Sequence, residues 1–266
     1  MTLPLLAAWT SACTSSPPPD EPFTGTVHRY AIDRYDLPLN SNQARQLGDD
    51  LDGDRAIDNQ VGMLTGTLAN QMDLAPHPSD LRDLLPSAFE INAHDLTDDD
   101  HVGVSYLGRP GDTATPATGK FQGGHYVSER TRDTTHGANG AMVLPLLADA
   151  DPTEFPIQRG EIDLQPDGAG GFDGQLRGMI DPQIALDQAA AGIYQMLRSN
   201  PHDHLGLAAI VTRDIFTNEP PVALTLANIK TSSLLESLLA PDLMVDGQRW
   251  LSFGFGFHLV PCDAGN

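Results

Sequence analysis

Trp250-Leu-Ser-Phe-Gly-Phe-Gly-Phe-His-Leu259 is the most regular stretch of this chain, and its reading decides the fold. Leu251, Phe253, Phe255, Phe257 and Leu259 fall on one face; Trp250, Ser252, Gly254, Gly256 and His258 fall on the other. Successive side chains of a β-strand point to opposite sides, so an alternation this strict predicts a strand with its aromatic side buried. Gly254 and Gly256 leave the second side bare, which predicts close approach by a helix or a neighbouring strand. A lipid-facing barrel strand alternates in the same way. The rest of the chain lacks the repeated ten-residue strands that a membrane barrel needs.

Working back from this strand, glycine and proline (25 and 21 residues) punctuate the chain into short elements. Strands are expected at Thr26–Ile32, Ala88–His94, His101–Leu107, Lys120–Val127, Glu154–Asp163, Phe172–Ile180 and Leu205–Thr212. Helical spacing appears in Val61, Leu64, Leu68 and Met72, with Asp58 or Asn59 as the cap. Pro78 and Pro86 bound a short helical turn at Ser79–Leu85. Asp181-Pro182 opens the clearest helix, with Ile184, Leu186, Ala189, Ala190, Ile193, Tyr194 and Leu197 apolar, and Asn200-Pro201 stops it. Ser233 and Glu236 form a capping box for a helix carrying Leu234, Leu235, Leu238 and Leu239. The expected fold is mainly β, or α+β: an antiparallel sandwich-like domain over 24–266 with three to four packed helices.

An apolar content of 40% is enough for a real core. Charge is the outlier, with 15 basic against 36 acidic residues and a formal net charge of −21. Such a surface repels nucleic acid and anionic lipid and suits divalent cations. There is no Cys/His zinc spacing, no phosphate-binding glycine loop and no His-Glu-x-x-His. Gly103-Val-Ser105-Tyr-Leu107 begins like a nucleophile elbow but ends in leucine inside an alternating strand. No pair of carboxylates stands out for glycoside hydrolysis.

At the N-terminus, Leu3-Pro-Leu-Leu-Ala-Ala-Trp9 is a short apolar run, followed by Thr10-Ser-Ala-Cys13 and a proline-rich polar tether. The run is too short to span a bilayer as a helix. The arrangement resembles a bacterial lipoprotein signal, with Thr10 where leucine is usual and no basic residue ahead of the run. That resemblance implies a signal peptide over 1–12, lipidation at Cys13, a tether over 13–23 and a membrane partner through the lipid anchor. A cleaved secretory signal is the alternative, as is a cytoplasmic chain. If Cys13 is acylated, Cys262 is an odd thiol; otherwise a bridge between the two becomes available.

The segment Asp50-Leu-Asp-Gly-Asp-Arg-Ala-Ile-Asp-Asn59 carries the clearest chemistry. Carboxylates at Asp50, Asp52, Asp54 and Asp58 alternate with short spacers, as they would to surround one hard cation such as Ca²⁺ with oxygen. Ala56 would add its carbonyl, and the apolar Ile57 before the last ligand would pin the loop to the core. The pattern resembles the calcium loops of thrombospondin type 3 repeats, integrin-type propellers and dockerin modules, and that resemblance implies Ca²⁺ binding without an enzyme activity. Arg55 stands where glycine normally permits the turn, and Val61 stands where an EF-hand would have its closing glutamate. Asp214–Glu219 is a weaker acidic segment. His202-Asp203-His204 reads as a helix-stop loop, and His94 and His101 as exposed turn residues.

Taken whole, the chain resembles uncharacterised envelope lipoproteins of predatory and social Gram-negative bacteria, which pair a lipobox with an aspartate loop and a closing Ser-Phe-Gly-Phe strand. The expected function is a non-enzymatic, calcium-stabilised cell-envelope lipoprotein, placed at the outer membrane, facing the periplasm or the surface. The alternative is a secreted carbohydrate-binding or carbohydrate-degrading protein with structural Ca²⁺; the sequence leaves the partner open between a protein and a glycan.

Overall fold

The computed structural model describes residues 23–69, 88–108, 114–129, 138–144, 153–199 and 225–262. The alternating C-terminal stretch lies within β10 (Gln248–Pro261), and its two rows separate as the pattern requires. Leu251, Phe253, Phe255, Phe257 and Leu259 are all buried in the main apolar core. The Phe257 ring stacks on Phe89 at 4.6 Å, and Tyr35 meets Phe255 at 5.6 Å. The opposite row is covered as well. A Cβ at Gly254 would collide with the carbonyl of Leu47, so the bare backbone there is what lets a helix end sit on the strand.

Nine further strands precede it: β1 (Thr26–Asp36), β2 (Ala88–Ala93), β3 (Asp99–Leu107), β4 (Ala117–Gln122), β5 (His125–Ser128), β6 (Ala138–Leu144), β7 (Thr153–Pro166), β8 (Phe172–Ile180) and β9 (Leu243–Val245). They make a single antiparallel sheet in the order β1-β2-β3-β4-β5-β7-β8-β10-β9, with β6 on β7. The strand β10 also pairs with β1, through Ile32↔Leu259 and Tyr35↔Phe257. Eight strands therefore close into an antiparallel ring that follows the chain apart from β6 and β9, which lie outside it. A barrel of this size holds an interior that side chains can fill, and closure removes the exposed edges of an open sheet. The strands thus form one closed sheet rather than the two facing sheets of the expected sandwich. Periodicity reports which side of a strand is buried, and both architectures bury the same side.

The helices among the described residues number five: α1 (Ser41–Leu47), α2 (Gln60–Ala69), α3 (Pro182–Ser199), α4 (Leu226–Lys230) and α5 (Ser233–Leu238). Three of them, α1, α4 and α5, have only 7, 5 and 6 residues, which is why apolar spacing alone finds fewer. Asp181 caps α3 as expected, accepting from Gln183 N and Ile184 N at 2.8 and 3.1 Å. Ala185 enters the main core, while Ile184 is exposed. The cap of α5 is Ser232, one residue before the expected Ser233, with Leu235 N donating to Ser232 Oγ at 3.4 Å. No described helix is long and apolar enough to cross a membrane. The expected helical turn at Ser79–Leu85 and strand at Leu205–Thr212 lie outside the described residues.

Candidate metal centre

Helices α1 and α2 are packed on the outer face of β10, and the acidic segment is the loop between them. Asn40 opens α1 by accepting from Asn42 N and Gln43 N, both at 3.0 Å. Asn59 opens α2 and anchors the loop. Its Oδ1 accepts from Gly62 N at 2.9 Å, while its Nδ2 donates to the carbonyls of Ala44 and Gly254, each at 2.9 Å. One buried amide therefore ties α1, α2 and β10 together. Of the two candidate caps, Asn59 makes the contact, and that frees Asp58 for the loop.

The loop closes on itself where Asp58 N donates to Asp49 O at 2.8 Å, forming a short antiparallel bridge. Leu51 pins its middle into a small apolar cluster with Met179, Leu243, Val245 and Trp250. The anchoring apolar residue is thus Leu51 and not Ile57, which is exposed. Backbone amides organise the carboxylates. Asp50 accepts from Gly53 N at 2.7 Å and Arg55 N at 3.0 Å. Asp52 accepts from Asp54 N at 3.1 Å and Met244 N at 3.4 Å. Asp58 accepts from Leu51 N at 2.7 Å.

As a result, carboxylate oxygens of Asp50, Asp52 and Asp58 lie within 4.8 Å of one another. Asp54 is not drawn into that group, and it accepts instead from Ala56 N at 2.6 Å. The turn carries Gly53 at φ 88° and Arg55 at φ 75°. Arg55 therefore occupies the left-handed conformation that glycine adopts without strain, at a cost of roughly 1–2 kcal/mol.

Electrostatics make the group unusual. Asp58 is only 5% exposed. Burial pushes its pKa up to about 6 against the opposing bond from Leu51, and the charges of Asp52, Asp242 and Asp54 add to the rise. The cost to the charged form is at most roughly 3 kcal/mol. Sequence reasoning missed Asp242, and no local pattern marks it. Burial raises the Asp242 pKa too, opposed by hydrogen bonds from Ser252, including Ser252 N at 2.8 Å. On the other side Arg177 reaches Asp49 at 3.8 Å and donates to Leu47 O at 3.3 Å. Three carboxylates so placed could hold a divalent cation, which would relieve this repulsion.

The remaining candidates separate cleanly. Both His94 and His101 are exposed, but only His94 lies in the turn; His101 belongs to β3 and stacks on Phe23 at 4.7 Å. Ser105 is an ordinary strand residue of β3, paired with Glu90. Cys262 is an exposed free thiol. Cys13, His202-Asp203-His204 and Asp214–Glu219 lie outside the described residues. Compared with protein-family models, curated proteins and solved structures, the chain matches none of them.

Proposed function

We propose that this chain is a non-enzymatic, calcium-stabilised lipoprotein of the cell envelope, in which Asp50, Asp52 and Asp58 hold one Ca²⁺. The observation that carries the reading is the convergence of these carboxylates with one of them buried. Bound Ca²⁺ offsets their repulsion and clamps the loop, and with it α1 and α2, against β10. Acylation of Cys13 supplies the membrane anchor, and a calcium-rich extracytoplasmic compartment fills even a site of the 10⁻⁴–10⁻³ M class. The aromatic rings that the carbohydrate alternative would need for sugar stacking are largely committed to the barrel core, so that reading gains no support.

Thermal melts of the full chain in millimolar Ca²⁺ and in EGTA test the calcium arm. Ligand at a hundredfold over its Kd adds about 2.7 kcal/mol, which for a domain of this size is a rise of roughly 5–10 °C. Asp52→Ala is expected to abolish the difference. Coincident midpoints for wild type in the two media would sink the proposal. Intact-mass measurement of the mature chain from bacterial membranes tests the anchor, since an unmodified Cys13 there removes it.

A further inference from the structure

A second group of ionisable side chains gathers around His258, on the same outer row of β10 as Ser252 and Gly254. Its Nδ1 lies 2.6 Å from Asp33 Oδ1 and its Nε2 lies 3.1 Å from Asp167 Oδ2. The two carboxylates come from opposite sides. Asp33 is the extra residue of a bulge in β1, where pairing passes from Ile32↔Leu259 to Arg34↔His258. The bulge turns Asp33 onto the face of the imidazole. Asp167 belongs to the turn between β7 and β8, where it accepts from Ala169 N at 2.6 Å and Gly171 N at 2.9 Å. His258 thus joins the β1 edge of the barrel seam to a turn 134 residues away in sequence from Asp33.

Further charged and titratable groups surround the ring among the described residues. Arg34 on β1 binds Asp36 at 3.0 Å and Asp173 at 2.9 Å. Asp173 on β8 is the pairing partner of His258, and Tyr30 on β1 feels the charge of Asp167. Arg34 thus binds Asp36 and Asp173, while Asp33 and Asp167 face the imidazole. A neutral imidazole has one N–H, whereas an ionised carboxylate only accepts. Two carboxylates facing the two ring nitrogens can both be satisfied only by the imidazolium.

We propose that His258 is a pH-sensitive lock on the barrel seam, which as an imidazolium fastens both the β1 bulge and the β7–β8 turn to β10, and on losing its proton releases the turn. Asp33 makes the shorter contact and keeps the remaining N–H, so Asp167 is the partner set free. Burial pulls the His258 pKa down, but the hydrogen bonds to Asp33 and Asp167 and the nearby charges of Asp33 and Asp173 carry it above the ordinary 6.5. The lock is therefore fully engaged below 6.5 and is lost as pH rises through the higher folded value.

The test is an NMR titration of the full chain labelled with ¹⁵N. Both His258 ring nitrogens are expected to carry protons at pH 6, with a midpoint above 6.5. Amide exchange at Ala169 and Gly171, corrected for intrinsic rate, should accelerate on the order of tenfold across that same midpoint, as one charge-assisted hydrogen bond is lost. His258→Gln should remove the step. Should that variant not fold, Asp167→Asn serves instead: its amide can donate to the neutral ring, so the midpoint falls. A neutral ring at pH 6, or exchange at the turn without a step at the ring's midpoint, overturns the lock. So does a step that survives in His258→Gln.

Discussion

One strand face carries two acidic clusters that differ in the counter-charge the chain supplies. Near Leu259, the carboxylates of Asp33, Asp36, Asp167 and Asp173 meet His258 and Arg34, cations that the chain itself supplies. Near Ser252, the buried Asp58 lies with Asp50 and Asp52 and feels the charge of Asp242, while Arg177 reaches the flanking Asp49 at 3.8 Å. The hydrogen bonds differ accordingly. Asp33 and Asp167 both meet the His258 ring, with Asp167 also accepting from Ala169 N and Gly171 N, whereas Asp50, Asp52 and Asp58 are held by backbone amides, which orient oxygens without cancelling charge. The first cluster is complete as folded. The second is the one that, on the proposed function, takes its cation from solution.

The hardest way to break this contrast is to unseat the loop. Asn59→Ala removes the cap of α2 and leaves the Ala44 and Gly254 carbonyls without their donor, at a cost of roughly 2–4 kcal/mol. Amide protection should fall across α1 and α2 while that of Ala169 and Gly171 is unchanged. Loss at both places would mean that the two clusters are not independent.

Removing one buried charge sharpens the comparison further. Asp58→Asn keeps an acceptor for Leu51 N, so in EGTA the variant should be more stable than wild type by up to roughly 3 kcal/mol, yet insensitive to Ca²⁺. The pH dependence has a definite sign. Because the folded Asp58 pKa is raised from 3.8 to about 6, wild type loses this contribution as pH rises through that window, and the gap to Asp58→Asn opens between about pH 4 and pH 6. The His258 contribution is lost only above 6.5, so the two windows separate the clusters in one titration. A gap that is constant with pH would show that burial does not penalise the Asp58 charge.

The smallest effect belongs to the turn. Arg55→Gly relieves the strained conformation at φ 75° and should raise stability by about 1 kcal/mol, with Ca²⁺ affinity maintained or improved. Destabilisation on this exchange would show that the Arg55 side chain contributes something the backbone argument omits.

Much of this was legible from residues close together in the chain. The two rows of β10, the cap at Asp181, a cap at Asp58 or Asn59, and the strained place of Arg55 all follow from local spacing and local backbone preference. The candidate site was half legible. The alternation of Asp50, Asp52 and Asp58 is visible, but not that Leu51 rather than Ile57 is the anchor, nor that Asp54 stands apart from the three. Asp242, Asp33, Asp167 and His258 carry no mutual pattern, because each is a single residue in its own segment.

By itself, then, the sequence determined that the chain is β-rich, which face of each strand is apolar, and where an acidic loop able to hold a hard cation sits. Closure into a barrel, the burial of Asp58 beside Asp242, and the seating of His258 between two carboxylates were decided only by the tertiary structure. The reason is range. Side-chain periodicity is a property of neighbours a few residues apart, whereas the pairing of β1 with β10 is set by register between segments more than 200 residues apart, as in Ile32↔Leu259. That register selects which lone charges face one another.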